Sequence, residues 1–395
     1  MKKYFMGKDV LLVTVFFFLS MVVFQLPTGF EHQIETRAIQ CKGVVLSTED
    51  SNIQLMGMVK CGEQTVNLSL VNGPMKGQKF KAENTLLGQM DRDTIFSKGD
   101  TALVVLSLDK ENRVINVKAV SHYRLGVELT LLSLFAGILV CFGGWTGVKA
   151  LVSFVFSALC IWKILVPCLL KGWDPILLTL GLTSALSGVI IFLVAGISAK
   201  GFTAFAGSFL GIAASSLMAL FFTSRFHLNG VVMPFAETLL YSGFGHLNLT
   251  KIYTASIFLA CSGAVMDIAM DVAASMNEVY ENTPDITVTA LVKSGLNVGR
   301  VVTGTMTTTL LFAYSGGFVT LLMAFMAQGV PLTNTFNLIY VASEILKTLC
   351  GSFCLVTVSP FTALAGGVIL TRKRARAILK VTSGVTEEKE ILALP

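Results

Sequence analysis

Charged residues are scarce in this chain of 395 residues, in which aspartate, glutamate, lysine and arginine together make up 14%. Soluble domains are about a quarter charged. Apolar residues make up 53% and mean hydropathy is +0.73. This composition excludes an ordinary soluble domain and predicts an integral membrane protein whose main partner is the lipid bilayer. The net charge of +6 lies largely in loops and tails, where membrane topology places it, so it does not predict nucleic-acid binding.

The sequence also lacks the short motifs that carry common enzyme chemistry. It contains no G-x-S-x-G, no H-E-x-x-H, no P-loop and no Rossmann fingerprint. These absences predict a protein that is not an enzyme and that uses no cofactor. His227 and His246 are too far apart in sequence to predict a metal site.

Eight cysteines are present, but their positions do not predict a disulfide framework. Six lie in or beside apolar runs, and only Cys41 and Cys61 lie in a polar region. These two either pair in an oxidising compartment or remain buried free thiols.

A polar region at residues 31–123 separates the first apolar run from all the others. That first run, residues 10–24, follows a basic N-terminus and predicts an uncleaved anchor with its N-terminus in the cytoplasm. Five short stretches in the polar region alternate apolar and polar side chains and are separated by turn signals. The pattern predicts a small all-β, OB-like barrel outside the cytoplasm. The stretches are residues 39–46, 53–59, 65–71, 101–108 and 114–120.

Seven further apolar runs follow, each with about the 20 residues that a bilayer crossing requires. With the anchor they predict an α-helical polytopic protein of about eight transmembrane helices. The basic cluster after the last run places both termini in the cytoplasm. The predicted domains are an anchor at 1–30, an extracytoplasmic β domain at 31–123, a seven-helix membrane domain at 124–371 and a basic cytoplasmic tail at 372–395. The seven runs are 125–142, 148–170, 175–198, 202–224, 252–276, 302–328 and 336–369.

Two stretches depart from this simple pattern. Residues 336–369 are long for one crossing and contain Pro360, so they form either one kinked, tilted helix or a broken pair. Residues 231–242 are too short and too polar to span, and they predict an interfacial or re-entrant segment.

Two carboxylates interrupt the apolar run at 252–276. Asp267 and Asp271 are four residues apart, so on a helix they share one face, together with Gly263. A charge inside a bilayer costs at least a few kcal/mol, and such residues normally face protein or water and mark functional sites. One hypothesis is that Asp267 binds a cation or carries a proton, with Asp271 assisting. The other is that Asp267 pairs with a basic residue or a helix N-terminus and fixes helix packing.

The next run supplies candidate partners at about the same depth. Arg300 leads into this run, whose first part is rich in threonine and glycine. Threonine hydroxyls in membrane helices commonly bond helix carbonyls or neighbouring helices. The alternative interpretation is that Gly304, Thr305 and Thr308 line a polar path opposite Asp267.

A second charged group is predicted in the outer half of the membrane. Glu344 and Lys347 are three residues apart on the last run, and Lys163 lies at a similar predicted depth. An intramembrane ion pair is the simplest account of these residues, and an external gate is the alternative.

Residues 263–270, GAVMDIAM, and Gly299-Arg300 followed by residues 304–310, GTMTTTL, resemble motifs of the YibE/F-like family of bacterial integral membrane proteins. The order of an anchor, a small external β domain and a multi-span region is also similar. The resemblance implies a permease-type protein of the bacterial plasma membrane whose substrate is not established. It also implies a homo-oligomer or pairing with a paralogous family member.

This chain departs from the family pattern at three positions. Val301 stands where the family usually has aspartate, Thr308 where asparagine is common, and Asp271 where a small polar residue is usual. One hypothesis is that Asp271 supplies the charge lost at position 301 from the facing helix.

The leading hypothesis is therefore a permease that moves an ion or small solute past Asp267. The alternative is a non-transporting scaffold or sensor whose external β domain binds a partner or ligand. An intramembrane hydrolase is disfavoured, because Asp267 and Asp271 lie on one helix without an opposed acid or a nucleophile.

Overall fold

The computed structural model describes residues 2–31, 38–111 and 113–391, and it divides into two compact units. Gly29–Phe142 forms the first unit, which contains the β-strands. Met1–Thr28 and Gly143–Pro395 form the second, which is helical.

Five strands of the first unit close into a barrel in the order β1-β2-β3-β5-β4. The first strand is long and pairs antiparallel with both β2 and β4, which closes the barrel, while β3 pairs with β5 in parallel. The predicted small all-β barrel is confirmed. The strands are β1 (Ala38–Met56), β2 (Val59–Leu70), β3 (Lys79–Leu87), β4 (Thr101–Leu108) and β5 (Val114–His122).

The individual strands were predicted less accurately than the barrel. Stretches 39–46 and 53–59 were predicted as two strands, but almost all of their residues belong to β1, whose pairing with β2 shifts register twice. The predicted stretch 65–71 is only the second half of β2. Strand β3 was not predicted, because one of its inward positions is a buried asparagine, Asn84, which hides the apolar alternation.

Buried amides link the barrel wall to the β3–β4 connection. The Gln64 side chain is fully buried; its Nε2 donates to Asp50 Oδ1 (2.8 Å) and to the Phe96 carbonyl (2.9 Å). Its Oε1 accepts from Asn84 Nδ2 (3.0 Å) and from the Phe96 amide (3.0 Å). Asn84 Nδ2 also donates to the Thr94 carbonyl at 2.6 Å. The polar groups inside this barrel are therefore paired, as buried polar groups in stable domains are.

Eleven α-helices lie in the described part of the chain. A π-helical turn, Ile161–Leu165, joins the second to the third, and a 3-10 turn, Gly316–Phe318, joins the eighth to the ninth. The helices are α1 (Lys2–Gln25), α2 (Leu125–Cys160), α3 (Val166–Leu170), α4 (Pro175–Ala195), α5 (Ala199–Arg225), α6 (Ala236–Tyr241), α7 (Leu249–Asn282), α8 (Val288–Ser315), α9 (Val319–Ala327), α10 (Leu332–Asn337) and α11 (Ile339–Ile391).

Six helical stretches among the described residues are long and apolar enough to cross a membrane, rather than the eight predicted. The anchor run is shorter, at Val10–Gln25, and two predicted crossings are parts of one stretch, Leu125–Leu170. Gly144 interrupts that stretch with φ 52° and ψ −128°, a conformation that glycine adopts readily. Residues 339–391 form one helix through Pro360, so the broken pair is excluded. Residues 231–242 form only a short turn and α6, too short to span.

Helix α7 lies at the centre of the helical unit and packs against α4, α5, α8 and α11. Glycines permit close helix crossings around it. A Cβ on Gly207 of α5 would lie 1.9 Å from Thr362 Oγ1 of α11, and one on Gly299 of α8 would lie 2.6 Å from Ser359 Cβ of α11. Small residues bring helix backbones together in this way in membrane proteins.

Candidate functional site

Helix α7 has a thoroughly buried face. Asn248 caps its start by accepting a hydrogen bond from the Lys251 amide at 3.0 Å. The buried side chains fill the space between α5, α8 and α11, and their burial stabilises the helix in the fold. Among its fully buried residues are Phe258, Cys261, Val265, Ile268, Ala269, Val272, Ala273 and Met276.

The opposite face carries the predicted site. Gly263, Asp267, Asp271 and Glu278 are all exposed and follow one another at spacings of four, four and seven, so they form one stripe along the helix. We call these four residues the acidic stripe. A Cβ on Gly263 would meet nothing within 4 Å, so no other side chain covers the stripe at this residue.

Neither central carboxylate of the stripe has a hydrogen-bond or ion-pair partner in the described parts of the chain. Asp267 and Asp271 are absent from the side-chain hydrogen bonds and salt bridges of the structure, whereas Glu278 accepts a hydrogen bond from Asn282 on its own helix. Like charges at a spacing of four destabilise a helix by a few tenths of a kcal/mol. These carboxylates therefore contribute nothing visible to packing, and the pairing of Asp267 with a base is not seen within the chain.

Helix α8 presents Arg300, Gly304, Thr305 and Thr308 on exposed positions. The guanidinium of Arg300 donates from Nη1 to Asn297 Oδ1 at 3.3 Å on the same helix. The structure does not bring it to Asp267 or Asp271 within the described residues.

The threonines of α8 mostly serve their own helix. Thr305 Oγ1 donates to the Val302 carbonyl at 2.9 Å. Thr303 is different, because its hydroxyl lies 2.9 Å from Ser359 Oγ and so joins α8 to α11. The helix runs unbroken through Gly304, so no opened carbonyls are available there for an ion.

The three residues of the second predicted charged group, Glu344, Lys347 and Lys163, do not form one cluster. Lys347 Nζ lies 2.6 Å from Glu344 Oε1, and both side chains are largely buried. Lys347 Nζ also lies 5.6 Å from the centroid of the Tyr253 ring. Lys163 is not part of this ion pair: its Nζ donates to the Leu26 carbonyl at 3.1 Å and lies 5.9 Å from the Phe24 ring centroid. It therefore fixes the end of α1.

A polar pocket of about 320 Å³ adjoins the end of α7. Its lining includes Ser198 and Lys200 at the start of α5, with Asn277, Tyr280 and Glu281 from α7. Asn277 Nδ2 donates to Glu281 Oε1 at 2.8 Å. Acidic and basic side chains thus meet in a wettable cavity near one end of the acidic stripe.

Sequence reasoning missed a layer of buried hydroxyls and thiols behind the stripe. Ser215 Oγ lies 3.6 Å from Cys261 Sγ, and Cys354 Sγ donates to the Gly211 carbonyl at 3.1 Å. Single hydroxyls and thiols in apolar runs look like packing residues, which is how buried cysteine usually behaves. The one available signal was a spacing of four on α4, where Thr183 and Ser187 are both buried with hydroxyls that have no hydrogen-bond partner among the described residues.

The described residues contain no group of three or more histidines, cysteines or acids that could hold a metal ion. His246 Nε2 instead lies 3.2 Å from the Leu170 carbonyl. Cys41 and Cys61 are both free thiols in the barrel.

The fold and this site define a class of protein: a multi-pass helical protein, indicated by six apolar helices of membrane-crossing length, that carries a small β-barrel before its helical core. The family model of YibE/F-like proteins matches residues 131–372, which is more than half of the chain. The chain belongs to the YibE/F-like family. Comparison with curated proteins and with solved structures found no match.

Proposed function

We propose that this chain is a permease-type protein of the bacterial plasma membrane that moves a cation or small polar solute along the acidic stripe of α7. The observation that carries the proposal is that Asp267 and Asp271 are exposed and have no ion-pair or hydrogen-bond partner among the described residues, although α7 is among the most deeply buried membrane-length helices. Carboxylates that do not stabilise the fold and that would cost several kcal/mol in lipid are retained where they border water or a ligand.

The depth of the two carboxylates supports this assignment. With about 1.5 Å of rise per residue, Asp267 lies about 27 Å along α7 from Leu249 and Asp271 about 33 Å. The polar pocket beside Asn277 and Glu281 then lies further along, at the side that the positive-inside rule assigns to the cytoplasm. Asp267 would meet the solute within the bilayer, and the pocket would be its inner mouth. In this arrangement α1 and the two parts of Leu125–Leu170 on either side of Gly144 each cross the membrane, so both termini lie in the cytoplasm and the barrel lies outside.

Flux measured in proteoliposomes tests the proposal. The purified full chain is reconstituted, and uptake is followed across a panel of protons, monovalent and divalent cations. We expect flux of at least one member, and we expect Asp267→Asn to lower it at least ten-fold. Glu237→Gln on the exposed helix α6 is the matched control and should leave flux unchanged.

The contradicting outcome is equally specific. Equal flux in Asp267→Asn and in the unaltered chain would exclude this carboxylate from the path. Circular dichroism and thermal melting of each variant separate a loss of flux from a loss of fold.

One observation favours a second candidate, a scaffold or sensor in which the barrel binds a partner. The turn between β1 and β2 exposes Met56 and Met58, the latter 91% exposed, and Leu87 and Met90 are exposed at the end of β3, the strand that pairs with β2. Exposed apolar side chains grouped at one end of a small domain are typical of an interaction surface. No flux of any tested ion, together with loss of a co-purifying partner in Met56→Ser/Met58→Ser, would favour this candidate.

A further inference from the structure

We propose that a second copy of this chain covers the acidic stripe, so that the polar path is completed at the contact between two copies. The inference rests on the proposed function in one respect, since it takes the stripe to lie within the membrane.

In a single copy the acidic stripe is uncovered, although membrane proteins do not normally leave charged side chains facing lipid. Asp267 and Asp271 are exposed and unpaired in the described structure, and contact with lipid chains would cost each of them several kcal/mol. Some polar surface must therefore face them. The adjacent helix α8 is similarly uncovered. In the most apolar part of Val288–Ala327 only 6% of the residues are buried, against 50% in the most apolar part of α7.

Helix α8 is shaped for a close approach by another helix. Gly304 is exposed, and a Cβ there would meet nothing within 4 Å. Exposed Thr305 and Thr308 flank it. A small residue with neighbouring hydroxyls is the usual surface of a helix–helix contact in a membrane.

Depth and charge together favour a second copy as the partner. The loop between Asn282 and Val288 is short, so the end of α7 and the start of α8 lie at the same level. Measured from those ends, Asp271 is about 17 Å along α7 and Arg300 is about 18 Å along α8. Two copies inserted with the same orientation place residues of equal depth side by side. An α7 stripe facing the α8 of another copy therefore sets Asp271 against Arg300.

The same two residues do not meet within one copy. Gly299 faces the packed interior, where a Cβ would contact Ser359 of α11 and Val272 of α7. Arg300 is one residue further and thus rotated by about 100° away from that contact. It is exposed, and its guanidinium bonds Asn297 instead. A guanidinium and a carboxylate at one depth, neither in an ion pair among the described residues of one copy, fit a pair formed between copies, with Asp267 left to face the path beside Gly304 and Thr305.

Charge reversal with rescue tests the contact. The full chain and its variants are purified in lipid nanodiscs or mild detergent, and the number of copies per particle is measured by native mass spectrometry. We expect the unaltered chain to hold two or more copies. Asp271→Arg and Arg300→Asp should each reduce the multi-copy fraction at least ten-fold, and the double variant should restore it. Glu237→Arg, a reversal on exposed α6, should change nothing.

Several outcomes contradict the contact. A chain that purifies as a single copy excludes a second copy as the covering partner. Single reversals that keep the full assembly, or a double variant that fails to reassemble after both singles dissociate, exclude the Asp271–Arg300 pair. Arg300→Gln provides a milder variant if a reversal fails to fold, and it should also dissociate the copies.

Flux measured on the same preparations separates this inference from the proposed function. If the double variant reassembles but no preparation carries flux, the contact between copies is supported and the permease is contradicted. Flux that persists undiminished in dissociated particles contradicts the shared path and keeps the permease.

Discussion

Buried polar side chains are paired in the barrel, whereas two carboxylates on the central helix of the helical unit are exposed and have no partner among the described residues. In the barrel, Gln64 and Asn84 are buried and satisfied by partners from three segments of chain. In the helical unit, Asp267 and Asp271 are exposed and have no partner among the described residues, although the helix that carries them is among the most deeply buried. Polar groups that hold a fold together are paired inside it. The unpaired carboxylates of α7 are therefore the ones available for function.

The comparison predicts its largest effect in the barrel. Replacing Gln64→Leu removes four hydrogen bonds and leaves the Phe96 amide buried without an acceptor, which should cost about 3 kcal/mol of unfolding free energy. Hydrogen exchange of the full chain, resolved to β2 and β3, measures this as faster amide exchange. Asn67→Ala on the outside of the same strand is the control, and its effect should be below about 1 kcal/mol. Equal effects from the two variants would show that the buried amides are not what stabilises the barrel.

The next largest effect on stability is expected from replacing a glycine at a close helix crossing, compared with a glycine at an open position. Gly207→Ala pushes a methyl group into Thr362 of α11 and should cost about 2 kcal/mol. Gly263→Ala, in the open stripe, should leave stability unchanged or raise it by up to about 1 kcal/mol, because alanine favours helix. Thermal melting of both variants in one detergent measures the difference. The same melting temperature for both would mean that the stripe is as tightly packed as the α5–α11 crossing.

A smaller effect is expected at the start of α4, where a paired carboxylate lies outside the membrane-length segment. Asp174 accepts from the Ile176 and Leu177 amides and lies 2.6 Å from Lys251 Nζ. The hydrogen bond from Lys251 is the main cause that lowers the pKa of Asp174. Asp174→Asn keeps the cap but loses the ion pair, at a cost of about 0.5 kcal/mol for a partly exposed pair.

The sign of the accompanying pH dependence follows from that lowered pKa. The stabilisation by the Asp174 carboxylate is fully present above its unfolded pKa of about 3.9 and is lost as pH falls through its lower folded pKa. Melting temperatures measured between neutral pH and pH 3 should therefore converge for Asp174→Asn and the unaltered chain at the acid end. A gap that widens towards acid would contradict the assignment.

The smallest effect on stability is expected at the carboxylates that we propose to line the polar path. Asp267→Asn removes a charge without removing any contact in the described structure, so its free energy of unfolding should match that of the unaltered chain within about 0.5 kcal/mol. A loss of more than 2 kcal/mol would mean that Asp267 holds a structural partner, and it would remove the contrast with Gln64.

The sequence predicted the architecture better than the contacts. Apolar runs and alternation predicted the helical core and the barrel, because both reflect burial directly. Strand β3 was missed because Asn84 occupies a core position. The number of membrane-length stretches differs from the prediction because two predicted crossings adjoin at the Gly144 kink within one stretch and the anchor run is short.

For the candidate site, spacing along α7 correctly grouped Gly263, Asp267 and Asp271 on one exposed face. Periodicity within a helix could not say which way α8 turns its side chains, and so it could not separate Arg300 from the acids or Lys163 from Glu344. Such pairings are set by the rotation and packing of whole helices, which one sequence does not encode locally.

Reaction with a water-soluble carbodiimide and an amine nucleophile tests most directly whether water reaches the Asp267 carboxyl inside the membrane. The unaltered full chain in liposomes is labelled and the modified acids are identified by peptide mass spectrometry. Asp267 should be modified far faster than Glu344, which is largely buried in its ion pair with Lys347. Modification of Asp267 no faster than that of Glu344 would show a carboxyl sealed from solvent and would contradict a polar path along α7.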